Sequence, residues 1–322
     1  MKKKSYEYIQ KKPEWLRVTL PSGENYVNIK RTISSLGLHT VCEEARCPNI
    51  GECWGGGTAT IMIMGDVCTR GCRFCSVTSG RPLYLDPDEP DRVAKAIKKW
   101  GLKYVVITSV CRDDLPDGGA NHIAETIKAI RSHCSQTIIE PLIPDFHGDR
   151  HALEKVTDAG PEVISHNIET VARLSPLVRD RRATYEQSLS ILGMIKELDS
   201  RIYTKSSIML GLGETEEEVI QAAKNLRSAD VNIVSIGQYL QPTSKHLPVK
   251  EYLPPEKFES YRKIIEKMGF AYTVAGPFVR SSYKAGEFFI KNMIYKNQQP
   301  PLRQQQQDNK AYFKQGSKEF YE

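Results

Sequence analysis

Along the chain, short apolar runs rich in β-branched residues alternate with stretches whose apolar positions recur every three or four residues. The runs predict strands over residues 59–64, 104–109, 137–142, 163–165, 202–210 and 232–236. The stretches between them predict helices, among them residues 91–100 and 216–228, with core-facing stripes in IAETIKAI and YRKIIEKM. Strand–helix alternation of this kind predicts a parallel β/α architecture. In such folds the chemistry gathers on the loops that follow the strands. The conspicuous motifs obey that rule: CTRGCRFC follows the first predicted strand, TSVCRDD the second, HNIET the fourth and GLGE the fifth.

The length of 322 residues leaves room for one large or two ordinary domains, and 40% hydrophobic with 26% charged residues is ordinary for a chain that buries a core. A disordered, collagenous or disulfide-dense protein is excluded. The longest apolar stretches, residues 59–64 and 104–107, fall far short of the roughly 20 residues of a membrane helix, so no membrane partner is expected. The start, MKKKSYEYIQKKPEW, has neither the apolar run of a secretory signal nor the Arg/Ser-rich, acid-free character of a transit peptide. A cytoplasmic location is the expectation. A net charge of +6 favours an acidic partner but is too weak to argue for nucleic acid.

Four regions are expected. Residues 1–57 form an N-terminal extension ending in Gly55, Gly56 and Gly57; residues 58–250 form the β/α core; residues 251–290 form a C-terminal extension; and residues 291–322, with Gln304 to Gln307, form a disordered polar tail.

Six of the eight cysteines lie between Cys42 and Cys75. They form two triplets: Cys42, Cys47 and Cys53, spaced C-x4-C-x5-C, and Cys68, Cys72 and Cys75, spaced C-x3-C-x2-C. In a reducing compartment this reads as metal binding or catalysis. Structural zinc wants four ligands, usually as two close pairs, and neither triplet has a fourth ligand nearby. One or two zinc-ribbon sites sharing the six cysteines remain the alternative. An iron–sulfur cluster held by three thiolates has one iron open to another ligand.

CTRGCRFC, with Phe74 before its last cysteine, matches the radical S-adenosylmethionine (SAM) signature. CEEARCPNIGECW, VITSVCRDDLPDGGA, PDFHG, HNIETV, KSSIMLGLGET, IGQYLQPT, HLPV and GPFVRSSYKAGE follow in order. Together they resemble the lipoyl synthase family of radical SAM enzymes, from about residue 15 to about residue 289. Cys111, Ser207 and the tail from about residue 291 depart from the family pattern.

The resemblance implies a partial (β/α)6 TIM-type barrel of the radical SAM kind, with N- and C-terminal extensions carrying an auxiliary iron–sulfur cluster. It implies two 4Fe-4S clusters and SAM as cofactors. Cys68, Cys72 and Cys75 would hold the cluster whose open iron chelates SAM. Cys42, Cys47 and Cys53 would hold the auxiliary cluster, with a serine of Arg280-Ser281-Ser282-Tyr283 as fourth ligand, Ser282 ahead of Ser281. Asn167, Glu169, Ser207, Met209, Gly211 and Glu214 are candidates for holding SAM, with Thr108, Ser109 and Asp117 near its amino group. Strand-end polar residues are also ordinary caps, so a capping role stays open for each. His166 is divided evenly between a pocket contact and a satisfied structural histidine. Cys111 and Cys134 are expected to pack rather than ligate.

The implied activity is insertion of two sulfur atoms, at C6 and C8 of an octanoyl group amide-linked to a lysine, with SAM cleaved and the auxiliary cluster as sulfur source. The implied partners are octanoylated lipoyl domains of 2-oxoacid dehydrogenase complexes, the glycine cleavage H protein, a low-potential electron donor and an iron–sulfur carrier that rebuilds the auxiliary cluster. Another two-cluster sulfur-inserting enzyme, such as a methylthiotransferase, is the runner-up; a non-enzymatic zinc or iron–sulfur scaffold is a third, which would cleave no SAM.

Overall fold

The computed structural model describes residues 11–18, 22–55 and 59–282. The expected tail, Gly56, Gly57 and Tyr283 lie outside the described residues. Eight strands form one sheet, in the order β1 (His39–Thr40), β2 (Ile61–Ile63), β5 (Tyr104–Ser109), β6 (Ile138–Leu142), β7 (Val163–Ser165), β8 (Tyr203–Leu210), β9 (Ile233–Gln238) and β10 (Tyr272–Gly276). From β2 to β10 every neighbouring pair is parallel, whereas β1 pairs antiparallel with β2. Two short strands, β3 (Val67–Cys68) and β4 (Thr78–Ser79), form a separate parallel ladder.

All six predicted strands are present, trimmed or shifted by a residue or two. The sheet is larger than six strands. β10 escaped prediction because only Thr273 of its five residues is buried, so no apolar run marks it. It pairs in register with β9, Tyr272 opposite Ile233 and Gly276 opposite Gly237.

Helices connect the parallel strands. α4 (Glu89–Trp100), α5 (Ala120–His133), α6 (Arg150–Asp158), α8 (Tyr185–Leu198), α9 (Glu216–Ser228) and α10 (Pro255–Glu266) are the long crossovers. The short α7 (Ser175–Val178) precedes α8, while α1 (Glu24–Ser35), α2 (Val41–Glu44) and α3 (Ile50–Gly55) precede β2. Their ends are set locally. α9 opens on a reciprocal Thr215/Glu218 capping box, and α4 begins with Pro90 and stops at left-handed Gly101. No helix among the described residues is long and apolar enough to cross a membrane.

The sheet interior is apolar along β2 and most of β5, but among the described residues it also holds a buried ion pair. Lys205 on β8 donates to Glu140 on β6 at 2.9 and 3.1 Å, and both are buried. The hydroxyls of Tyr104 and Ser165 also donate to Glu140. Removing one partner leaves the other charge buried and uncompensated, which typically costs about 3–5 kcal/mol. Lys205→Met is therefore expected to lower unfolding stability by about 3–5 kcal/mol. Urea unfolding measures this, and a loss below about 1 kcal/mol contradicts the account.

Candidate active site

The chain leaves β2 and turns directly into the second cysteine triplet. The β3–β4 ladder closes a loop that carries Cys72 and Cys75, and the N–H of Gly80 donates to the Cys68 carbonyl at 2.9 Å. Backbone N–H groups point at the sulfurs: Arg70 and Cys111 donate to Cys68 Sγ at 3.4 and 3.3 Å, and Asp180 donates to Cys72 Sγ at 3.3 Å. Hydrogen bonds of this kind to cluster sulfurs are one of the means by which proteins set cluster potentials. The HLPV block embraces the same loop. His246 Nε2 donates to the Cys75 carbonyl at 2.9 Å, and the N–H of Leu247 donates to the Arg73 carbonyl at 3.2 Å.

Electrostatics test whether these thiols suit a metal. Burial pushes Cys75 up to about 12 and Cys42 up to about 11, and raises Cys47 and Cys72. These thiols stay protonated on their own, and a cationic iron centre is the partner that would displace their protons. The three sulfurs also lie within charge reach of one another, and Cys72 and Cys75 within reach of Glu169. The donor set fits a cluster.

The proposed SAM residues divide by their partners. Glu169 follows β7 in a left-handed conformation, φ 67°, uncommon for a non-glycine residue. It is bridged to β8, its N–H donating to the Ser207 carbonyl at 3.1 Å and its carbonyl accepting from Met209 at 2.8 Å. Burial raises the pKa of its carboxyl, against the pull of Arg179 and a 3.2 Å bond from Asn167. Asn167 Oδ1 and Ser109 Oγ are buried without partners, as expected of groups that await a ligand. Glu214 accepts from the backbone N–H groups of Gly211 and Leu212 and so shapes the turn after β8. At Gly211, φ is 96° and a Cβ would lie 2.2 Å from Gln238 Nε2, so glycine is required there. Thr108 Oγ1 donates to the Leu142 carbonyl at 3.4 Å. Asp117 accepts from Gly119, Asn121 and Lys155 and serves as a cap of α5.

The first triplet lies around α2 and α3. The N–H of Cys47 donates to the Cys42 carbonyl at 2.9 Å, and that of Cys53 to the Asn49 carbonyl at 2.8 Å. Asn49 Nδ2 in turn donates to the Phe278 carbonyl at 2.7 Å, across 229 residues of sequence. Cys47 and the Arg280 guanidinium lie within charge reach, each favouring the other's charged form. This brings the triplet against the RSSY loop, where Ser281 and Ser282 are half-buried. The same loop packs closely on β9, where a Cβ on Gly237 would lie 2.0 Å from the Val279 carbonyl oxygen.

His166 is a structural histidine. Nδ1 donates to the Ile143 carbonyl at 2.9 Å, Nε2 lies 2.9 Å from Ser188 Oγ, and burial lowers its pKa to about 4. The native state therefore refuses a proton that the unfolded chain accepts below about pH 6.5. Stability is full above pH 6.5 and falls by roughly 3 kcal/mol as the pH drops to about 4. Urea unfolding of His166→Gln should show a flatter pH dependence over that window; an unchanged slope contradicts the assignment.

Cys134 packs against the apolar core, as expected. Cys111 differs from its expected role as a packing residue: it sits against Cys68, whose thiol pKa is lowered chiefly by the hydrogen bond between the two. The sequence reading missed Arg70, Asp113, Asp145, Asp180, Arg182 and His246. For all but His246 the available signal was the concentration of charged residues in CTRGC, CRDD and PDFHG, in the loops after β2, β5 and β6, and in VRDRR after α7.

Residues 62–226 match the family model of the radical SAM superfamily, and residues 1–47 match that of the N-terminal domain of lipoyl synthase. The chain is 55% identical over 296 residues to the mitochondrial lipoyl synthase of Homo sapiens, covering 90% of this chain and 80% of that protein. It is 56% identical over 290 residues to that of Rattus norvegicus, covering 88% and 78%. Among solved structures, the FeFe-hydrogenase maturase HydG from Carboxydothermus hydrogenoformans superposes with a TM-score of 0.51 at 14% identity, over 83% of this chain and 78% of that one. Streptococcus suis SuiB bound to SAM gives 0.51 at 10%, over 70% and 54%. At these identities the two structures speak for the fold alone. The cytoplasmic location expected from the N-terminal sequence does not stand, because these relatives are mitochondrial lipoyl synthases. Reduced thiols require a reducing compartment, and that requirement does not distinguish the two.

Proposed function

The chain belongs to the lipoyl synthase family of radical SAM enzymes, and from its geometry we propose which residues carry the reaction. It is a sulfurtransferase that inserts two sulfur atoms into a protein-bound octanoyl group, with two 4Fe-4S clusters and SAM as cofactors. When bound, these groups supply the hydrogen-abstracting radical and the sulfur delivered to C6 and C8. Cys68, Cys72 and Cys75 hold the cluster that binds SAM. Cys42, Cys47, Cys53 and Ser282 hold the auxiliary cluster. Asn167, Glu169, Ser109 and Ser207 would hold SAM, while Glu214 and Gly211 shape the turn after β8. In domain terms, residues 58–250 are the proposed barrel core, and the proposed extensions 1–57 and 251–290 contribute Cys42, Cys47, Cys53 and Ser282 to the auxiliary site.

The observation that carries this reading is the Asn49–Phe278 bond, which brings the first triplet against the RSSY loop. A serine oxygen suits a ligand that must release its iron, because the soft thiolates are the stronger partners for such clusters. The methylthiotransferase alternative is not favoured, given the lipoyl synthase match of the N-terminal region. The carriers served are lipoyl domains of 2-oxoacid dehydrogenase complexes and the glycine cleavage H protein, and the cycle takes in a low-potential electron donor and an iron–sulfur carrier.

Ser282→Ala is expected to cut lipoyl product about tenfold or more while SAM cleavage continues. Ser281→Ala is expected to stay near the parent. Product mass on an octanoylated lipoyl domain measures both, and full product from Ser282→Ala removes it from the ligand set.

A further inference from the structure

The three residues between Cys68 and Cys72 are held from three directions. Arg70 is the centre. Its Nη1 donates to Asp145 Oδ2 at 2.6 Å and its Nη2 to Asp145 Oδ1 at 2.7 Å. On the other side Nη2 donates to Asp113 Oδ1 at 2.8 Å, and Nε lies 3.0 Å from Oδ2. The Arg70 side chain is 3% exposed and that of Asp145 0%. Asp113 also accepts from Thr69 Oγ1, Arg182 and His147. Asp180 accepts from the N–H of Gly71 at 2.8 Å, pairs with Arg182, and donates its own N–H to Cys72 Sγ. Arg182 closes the ring by donating to the Thr69 carbonyl at 2.7 Å.

Such a network is more than a loop anchor would need. Two bidentate carboxylates on one guanidinium are costly to bury, since each ion must leave water. Hydrogen bonds to the Thr69 and Gly71 backbone alone would fix the turn. One carboxylate already cancels the guanidinium charge, so what the second adds is a net negative charge on the clasp beside two cluster ligands. A cluster that must cleave SAM has to be strongly reducing, and an uncompensated cation beside it would make it easier to reduce and so a weaker reductant. In a buried site, where effective dielectric is low, that influence is large.

We propose that Arg70 is a positioning residue for the SAM-binding cluster, and that its clasp by Asp113 and Asp145 sets the charge the cluster faces and thereby its reduction potential. The proposal rests on the assignment of Cys68, Cys72 and Cys75 to that cluster. Asp113 from the loop after β5 and Asp145 from the loop after β6 thus act on the chemistry without touching substrate or cofactor.

The test is an anaerobic redox titration of the reconstituted full chain, followed by electron paramagnetic resonance. The relevant signal is the one that changes when SAM is added. Asp145→Asn removes a negative charge and is expected to shift the midpoint upward. Arg70→Gln removes the positive charge and is expected to shift it downward. Arg70→Lys keeps the charge and is expected to lie closer to the parent than Arg70→Gln does. A purely structural clasp would change iron content or thermal stability but would not move the two potentials in opposite directions. Unchanged potentials, or shifts of the same sign, overturn the proposal. If Arg70→Gln loses the cluster, an upward shift in Asp145→Asn with Arg70→Lys near the parent sustains the proposal, and an unshifted Asp145→Asn potential overturns it. A SAM-responsive signal that survives Cys72→Ala would instead overturn the underlying site assignment.

Discussion

Cys42→Ala is expected to go on cleaving SAM while making no lipoyl product. In the proposed assignment the two triplets serve separate centres, and Cys42 belongs to the auxiliary one alone. It is buried within α2, its carbonyl accepting from Cys47, and among the described residues no hydrogen bond links it to the Cys68–Cys75 loop. Removing one of its centre's ligands should therefore strip iron from that centre and leave the other loaded, so that bound iron falls by about half on the basis of two four-iron clusters. Deoxyadenosine formation in the presence of carrier reads the SAM-binding centre, carrier mass reads the auxiliary one, and iron analysis checks the loading. Product from this variant would mean that the sulfur comes from elsewhere.

Cys72→Ala is expected to silence both readouts. Cys72 sits in the loop where Asp180 N–H meets its sulfur and Glu169 lies within charge reach. Loss of a residue that merely supports a ligand typically costs about 10- to 100-fold, so loss of the ligand itself should cost more than about 100-fold in deoxyadenosine formation. The auxiliary site, with its own three cysteines, should keep its iron. The pair of variants is therefore asymmetric: one loses only sulfur insertion, the other loses everything downstream of SAM cleavage. Persistent SAM cleavage by Cys72→Ala would detach the C-x3-C-x2-C loop from that chemistry.

Much of this site was legible in the sequence because its signals are local. The cysteine triplets are spacing patterns, and the strands that carry the loops are short apolar runs that survive as β2 and β5 to β9. The strand-end rule then placed HNIET and GLGE on the same side as the cysteines. What escaped is what depends on register. Arg70 meets Asp113 and Asp145 across 43 and 75 residues, and only the parallel alignment of β2, β5 and β6 brings those loops together. Asp117, a candidate for the SAM amino group, is engaged as a cap because it stands at the start of α5. His166 could not be assigned until Ile143 and Ser188 were seen on its two nitrogens. The proposed serine ligand had no pattern of its own. RSSY in isolation reads as a surface turn, and only the resemblance, and then the Asn49–Phe278 contact, set it beside the triplet.

The most direct measurement is the intact mass of an octanoylated lipoyl domain after anaerobic incubation with the reconstituted chain, SAM and a reductant. The account predicts a gain of two sulfur atoms per carrier, with turnover limited to about one per chain unless the auxiliary cluster is rebuilt. An unchanged carrier mass alongside continued deoxyadenosine formation would contradict it.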